Sequence, residues 1–310
     1  MNSTKNFRKV LEYLPEKLSC SLKKIPSATV VKINEIRLRA NRPVSVSVAG
    51  ESVFVSPNGS LTRSPTLGIN CSAEDISEAF HAVCDYSVHS HQRDISQGFI
   101  TLEGGNRVGI CGTAVGQYNS IETLKFVSSL NFRIAGEIIG CGEEICRKLF
   151  GAEPMGVLII GVPLSGKTTV LRDMCRILGN RYRLSIVDER SEIASCYHGV
   201  PQNDVGFFTD VLDGYDKKNG IETAVRVMSP QIVVCDETGG RTDCEAILES
   251  VTSGVKILAS AHGKSIDEVL QRKHIKKLVS CGIFDYAVLL GNGSDVGTVK
   301  EIRKIGGLIC

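Results

Sequence analysis

The sequence predicts a two-part α/β protein, an α+β half followed by a half built on a largely parallel sheet, and three observations carry that prediction. From about residue 152 short apolar runs alternate with helical patterns, as in a parallel sheet with crossover helices. Before that point apolar and polar residues alternate singly in paired short segments, as in antiparallel hairpins. Three of the later runs end in Asp188-Glu189, Asp236-Glu237 and His262, and the carboxyl edge of an open α/β sheet is where ligands bind. The chain is therefore expected to divide near residue 150, into an N-terminal domain over 1–150 and a C-terminal domain over 151–310.

In the first half, Glu35–Arg39 (EIRLR) and Val44–Val48 (VSVSV) both alternate across a turn at Ala40–Pro43, which predicts a hairpin with one buried face. Ser72-Ala-Glu-Asp75 resembles a capping box ahead of a helical pattern at Ile76–Val83. Gly98–Glu103 and Arg107–Val115 flank Gly104-Gly105-Asn106 and read as a second hairpin. Arg37, Arg39, Arg107 and Arg133 fall on or near these strands, with a solvated strand face as their ordinary role. His81, His89 and His91 lack a thiol or carboxylate at metal-ligand spacing.

In the second half, Met155–Ile160 is expected as a strand and Thr168–Leu178 as a helix stopped by Gly179-Asn180. Strands are expected next at Leu184–Val187, Ile232–Cys235 and Val255–Ala261, with a helical segment at Ile221–Met228. Asp243 is expected to cap a helix running through Ser253 to a stop at Gly254, and Ser265-Ile-Asp-Glu268 to box the next.

Composition narrows the function classes. Lys and Arg number 36 against 34 Asp and Glu, a formal charge of +2, so no global field draws the chain to nucleic acid or anionic membrane. The N-terminal residues lack the uninterrupted apolar core of a secretory signal, and the longest apolar stretch, Met155–Val162, is too short to span a bilayer. A cytoplasmic setting is expected, with any membrane association through partners. The 12 cysteines contain no C-x-x-C pair, which argues for reduced, buried side chains rather than a zinc or disulfide framework. Cys175, Cys196, Cys235 and Cys244, near the strand-end motifs, are candidates for oxidation sensitivity.

The chemistry concentrates at Gly161-Val162-Pro163-Leu164-Ser165-Gly166-Lys167-Thr168, which fits G-x-x-x-x-G-K-[ST] between an apolar strand and a helix. Glycines let the backbone wrap a phosphate, so these residues and Thr169 are the expected ATP contacts. Lys167 would reach the β- and γ-phosphates, and the Thr168 hydroxyl would ligate Mg²⁺. Asp236 suits the metal's surroundings, and Glu237 suits the orientation or activation of attacking water. Asp188 and Glu189 are a second acidic pair able to approach metal and γ-phosphate, with a salt bridge to Arg190 as their structural alternative. His262 is a candidate sensor of the γ-phosphate. A guanine-reading N-K-x-D motif is absent.

These segments, with Ile186–Ile193, Arg226-Val-Met-Ser-Pro230 and Ser260-Ala-His-Gly263, resemble the stage III sporulation protein AA family. That family is similar to the ATPases of type II and type IV secretion systems and of pilus motors. The resemblance implies a RecA-like P-loop domain behind an α+β N-terminal domain, and ATP hydrolysis with Mg²⁺. It places Asp188 and Glu189 in an "Asp box", Asp236 and Glu237 in Walker B, and His262 in a "His box". It further implies a homo-hexameric ring serving a sporulation channel between mother cell and forespore, with membrane-protein partners and no nucleic acid. Arg107, Arg133 and Arg226 become candidates for neutralising phosphate charge across a subunit boundary. The family's Walker B segment is expected to carry an Arg one position earlier than Arg241, so Arg241 is its displaced counterpart. A nucleotide-gated scaffold with little turnover is the rival reading.

Overall fold

The computed structural model describes residues 2–116, 122–238, 240–250 and 254–306. The chain divides into two compact units, Met1–Glu137 and Ile138–Cys310. The boundary falls ahead of residue 150 because the segment 138–149 packs on the helix after the glycine-rich loop.

The first unit begins with helices α1 (Asn2–Leu11), α2 (Glu16–Lys23) and α3 (Ser27–Val30). Next are strands β1 (Ile33–Arg39), β2 (Arg42–Pro43), β3 (Ser45–Val48), β4 (Glu51–Val55), β5 (Leu61–Thr62) and β6 (Asn70–Cys71). Helices α4 (Ala73–Val83) and α5 (Gln92–Gln97) precede β7 (Phe99–Thr101), β8 (Arg107–Val115) and β9 (Thr123–Arg133). The main sheet is antiparallel, in the order β5-β4-β3-β1-β9-β8-β7. Both expected hairpins form: Ile36 faces Val46 across β1–β3, and Thr101 faces Arg107 across β7–β8. Period-2 alternation sets the layers, so Ile36, Leu38, Val46, Ile110 and Phe132 are buried. Glu35, Arg37, Arg107 and Arg133 occupy the opposite face. The capping box is complete, with Ser72 Oγ accepting the Asp75 N–H at 3.2 Å and the Asp75 carboxylate accepting the Ser72 N–H at 2.6 Å.

The second unit runs α6 (Glu143–Leu149), β10 (Val157–Gly161), α7 (Lys167–Leu178), β11 (Leu184–Asp188) and β12 (Thr209–Asp213). Helix α8 (Lys217–Thr223) leads through a π-helical turn at Ala224–Met228 into β13 (Ile232–Cys235). Then come α9 (Arg241–Ser250), β14 (Lys256–His262), α10 (Ile266–Leu270), α11 (Lys273–Ser280), β15 (Tyr286–Leu290) and β16 (Val299–Lys304). The sheet order is β12-β11-β13-β14-β10-β15-β16, parallel except for β16. Val157 and Ile159 of β10 pack with α6 and α7, whereas Leu158 and Ile160 pack with α8 to α11. That two-sided burial explains why β10 reads as an unbroken apolar run.

One boundary differs from expectation. Helix α9 begins at Arg241, so Asp243 lies in its first turn and does not cap it; Ser253, the expected end, lies outside the described residues. Cys175, Cys196, Cys235 and Cys244 are all buried. Burial pushes the Cys196 thiol up to about 12 and those of Cys235 and Cys244 up to about 11, which disfavours the thiolate that oxidation requires.

Asp173 fixes the start of this unit to α7. Its buried carboxylate accepts the N–H groups of Gly140 (3.0 Å) and Gly142 (2.7 Å) and the Arg176 Nε–H (2.8 Å). A Cβ on Gly142 would come within 2.9 Å of Met174, so only glycine approaches this closely. Asp173→Ala is expected to lower the unfolding free energy by about 2–4 kcal/mol, through buried donors left without acceptors. Urea denaturation measures this, and a change below roughly 0.5 kcal/mol would contradict the role.

Candidate active site

Strand register assembles the site. Gly161 of β10 pairs with His262 of β14, and Cys235 of β13 pairs with Ala259 of β14. The residues just past β10 and β13 therefore emerge on either side of the end of β14. After Gly161 the chain turns through Leu164 (φ +63°) and Gly166 (φ +86°) into α7, which has no side-chain cap. The first N–H groups of α7 thus open onto the loop, the arrangement that binds anions. A Cβ on Gly161 would lie 2.2 Å from Ser165 Oγ, and that hydroxyl is buried without a described partner. Lys167 Nζ donates to the carbonyls of Gly161 and Val162, both at 3.0 Å. Burial holds its ammonium below the usual lysine range, against the opposing pull of Asp236 and Glu237.

Asp236 is the centre of the arrangement. Its Oδ2 accepts from Thr168 Oγ1 at 2.6 Å, and its Oδ1 accepts from Ser260 Oγ and, at 2.9 Å, from the Glu237 N–H. Ser260 is fully buried and also accepts the Glu237 N–H at 3.0 Å. A hard carboxylate beside a threonine hydroxyl, next to a glycine cradle too tight for a Cβ, is a donor set that suits Mg²⁺ on a phosphate chain. Glu237 has a left-handed backbone (φ +47°), and its exposed carboxylate lies 3.5 Å from Arg190.

The second acidic pair behaves differently from expectation. Asp188 is buried, and its carboxylate accepts the N–H groups of Glu192 (2.7 Å), Ile193 (3.0 Å) and Ala194 (2.8 Å). Burial raises its carboxyl above the usual aspartate range, and these donors oppose that shift. Asp188 thus closes the turn after β11, with both oxygens accepting backbone N–H groups. Arg190, the structural alternative partner for this acidic pair, lies 3.5 Å from the Glu237 carboxylate. Glu189 faces the same cleft as Asp236 and Glu237, paired at 3.5 Å with Lys217. The His262 side chain is exposed, while its carbonyl accepts from Arg272 at 2.6 Å. Arg241 pairs along its own helix with Glu245 at 2.8 Å. Arg107 lies 4.8 Å over the Phe99 ring, Arg133 lies 3.8 Å from Glu35, and Arg226 is exposed in the π-helical turn.

The sequence assigns no role to two residues of the site, Ser260 of Ser260-Ala-His-Gly263 and Lys217. A buried serine inside the apolar strand Lys256–His262 was a usable signal for Ser260, since a buried hydroxyl requires a partner. Lys217, in Asp216-Lys-Lys-Asn219, has no such signal.

A largely parallel sheet with a glycine-rich loop between an interior strand and a helix is a RecA-like fold, here preceded by a separate α+β unit. Two solved structures share this fold: the pilus retraction motor PilT with bound ADP (TM-score 0.54, 14% identity, 83% of this chain and 74% of that one) and the Legionella pneumophila ATPase DotB (0.52, 13%, 83% and 72%). The chain belongs to the sporulation stage III protein AA family, whose model matches residues 8–309. It is 35% identical over 299 residues to stage III sporulation protein AA of Bacillus subtilis (strain 168), covering 94% of each chain. A more distant similarity, 30% over 181 residues, joins 56% of this chain to 26% of the Arabidopsis thaliana protein SEEDLING PLASTID DEVELOPMENT 1.

Asp188→Ala is expected to lower the unfolding free energy by about 2–4 kcal/mol, because three backbone donors lose their acceptor. Nucleotide affinity, measured by calorimetry below the melting temperature, should stay within roughly threefold. A larger loss of affinity would return Asp188 to the metal site.

Proposed function

We propose that this protein is a Mg²⁺-dependent ATP hydrolase, a secretion-type motor for a sporulation channel between mother cell and forespore. The observation that carries the reading is the carboxylate of Asp236 joining the phosphate-loop residue Thr168 to the backbone of Glu237. The loop Gly161–Thr168 with Thr169 would bind the ATP phosphates, and Lys167 would leave its carbonyl partners for the β- and γ-phosphates. Mg²⁺, held by Thr168 with Asp236 behind it, would neutralise charge on the phosphate oxygens. Glu237 would accept a proton from water as the water oxygen bonds to the γ-phosphorus. The bond to the bridging oxygen breaks, and ADP leaves with that oxygen. Glu189 would help order the water, and His262 would sense the phosphate beside Gly161.

Assembly as a homo-hexamer in the mother-cell cytoplasm, with membrane-protein partners, accords with the family membership. No described helix is long and apolar enough to cross a membrane. Arg107 and Arg133, neighbours across β8–β9, and the exposed Arg226 are candidates for contacting a neighbouring subunit's phosphates. The Glu237–Arg190 pair favours a second reading, a nucleotide-gated scaffold, because a carboxylate engaged by a guanidinium must be released before it can meet an attacking water.

Lys167→Ala should abolish ATP binding, whereas Glu237→Gln should bind ATP and lose turnover by about 10²–10³-fold. Undiminished hydrolysis by Glu237→Gln would remove Glu237 from the chemistry. Specific activity should rise with protein concentration together with the appearance of hexamer in native mass spectra. Negligible turnover at concentrations where rings form would favour the scaffold.

A further inference from the structure

Lys217 is held where a lysine is poorly suited. It is the first residue of α8, behind the N-cap Asp216, where an ammonium meets the positive end of the helix dipoles. Only 12% of its side chain is exposed, while the adjacent Lys218 lies in solvent. Three acceptors from three other segments hold it inward: the Glu237 carbonyl at 2.9 Å, the Glu189 carboxylate at 3.5 Å and the Asp243 carboxylate at 3.5 Å.

The carbonyl contact is the informative one. Glu237 has φ +47°, a conformation that residues with a Cβ rarely adopt without support. Its N–H is bound by Ser260 Oγ and Asp236 Oδ1, and the next amide, Thr238, donates to the Ser260 carbonyl at 2.6 Å. With Lys217 on the carbonyl, the peptide groups on both sides of Glu237 are fixed. Among the described residues, the Glu237 carboxylate is oriented by an exposed pair with Arg190, and exposed pairs hold geometry weakly. Backbone pose therefore sets where this carboxylate stands in the cleft that it lines with Glu189 and Asp236.

We propose that Lys217 is a positioning residue: from a pocket neutralised by Glu189 and Asp243, it binds the Glu237 carbonyl and holds Glu237 in the backbone pose from which its carboxylate lines the cleft beside Asp236. Its bearing on turnover rests on the reading of Glu237 as the base; its effect on the backbone does not.

The test uses the full chain with Lys217→Met, Lys217→Arg and the control Lys218→Met, each also in a Glu237→Gln background. Hydrogen exchange at the amides of Glu237 and Thr238 should accelerate about tenfold in Lys217→Met. Lys217→Arg should recover part of the protection and Lys218→Met should leave it unchanged. Unaltered exchange in Lys217→Met overturns the proposal whether or not the protein hydrolyses ATP. Where the wild type turns over, Lys217→Met should lower kcat about 10–100-fold with KM within roughly threefold, and add nothing in the Glu237→Gln background. An equal further loss in that background overturns the proposal. A wild type without turnover sinks the hydrolase reading alone, and the exchange result then decides for Lys217.

Discussion

The carboxylate of Asp236 is bound by two hydroxyls from different elements, Thr168 on α7 and Ser260 on β14, and the rest of the sheet edge is arranged around it. Strand β14 lies between β13 and β10, so a side chain leaving the end of β13 must cross β14 to reach the phosphate loop. Ser260, with the smallest hydroxyl side chain, lets it cross and anchors it on the way. Hydrogen bonds to a carboxylate are roughly twice as strong as neutral ones, and these two fix the distance between the β13 end and the P-loop helix. The left-handed backbone at Glu237, a conformation that costs about 1–2 kcal/mol for a residue with a Cβ, survives because the same carboxylate and serine hold its N–H.

Much of this was legible in the chain. The phosphate loop is continuous in sequence, so glycine spacing and flanking hydrophobicity determine it locally. Strands β10, β11 and β13 are apolar because both faces are buried, and their polar ends mark the sheet edge. What sequence could not reveal is which acid of a pair faces inward. Asp188-Glu189 and Asp236-Glu237 look alike on paper, yet Asp188 turns into the backbone of 192–194 while Asp236 turns toward Thr168. The difference lies in the surroundings that the fold gives each pair. A loop folding back after β11 brings three N–H groups to Asp188, and the neighbouring strand brings Ser260 to Asp236. Strand β12 leaves no pattern in the sequence because Thr209–Asp213 is a polar edge strand, with little of the burial that gives a strand its alternation.

Lys217 was invisible for a related reason. Its three acceptors are 20 to 28 positions away in sequence, on segments that meet only through packing of α8 against β11 and α9. A lysine at a helix start looks like a solvated residue, as its neighbour Lys218 is. Yet the site's carboxylates, Glu189, Asp236, Glu237 and Asp243, converge within a few side-chain lengths, and such a cluster self-repels unless cations lie among them. Lys167, Arg190 and Lys217 supply that charge at three depths, from half-buried loop to exposed rim. The first two have motif or strand-end positions that announce them; the third arises only from the fold.

Burial across the site is graded, and the gradient bears on assembly. Asp188, Ser260 and Ser165 are buried, while the groups nearest the proposed chemistry, Glu189, Glu237 and His262, are exposed. Charges in bulk water attract about one quarter as strongly as at a partly screened protein surface, and a base surrounded by solvent gains little from its orientation. Hydrolytic sites work best once water in excess of the reacting molecule is excluded. Within the second unit the anchors of this site are buried and its acidic rim is exposed. Under the proposed hydrolase reading, a base on such a rim gains most from a surface that excludes bulk water and adds positive charge, which ties that reading to assembly more than to the glycine-rich loop alone.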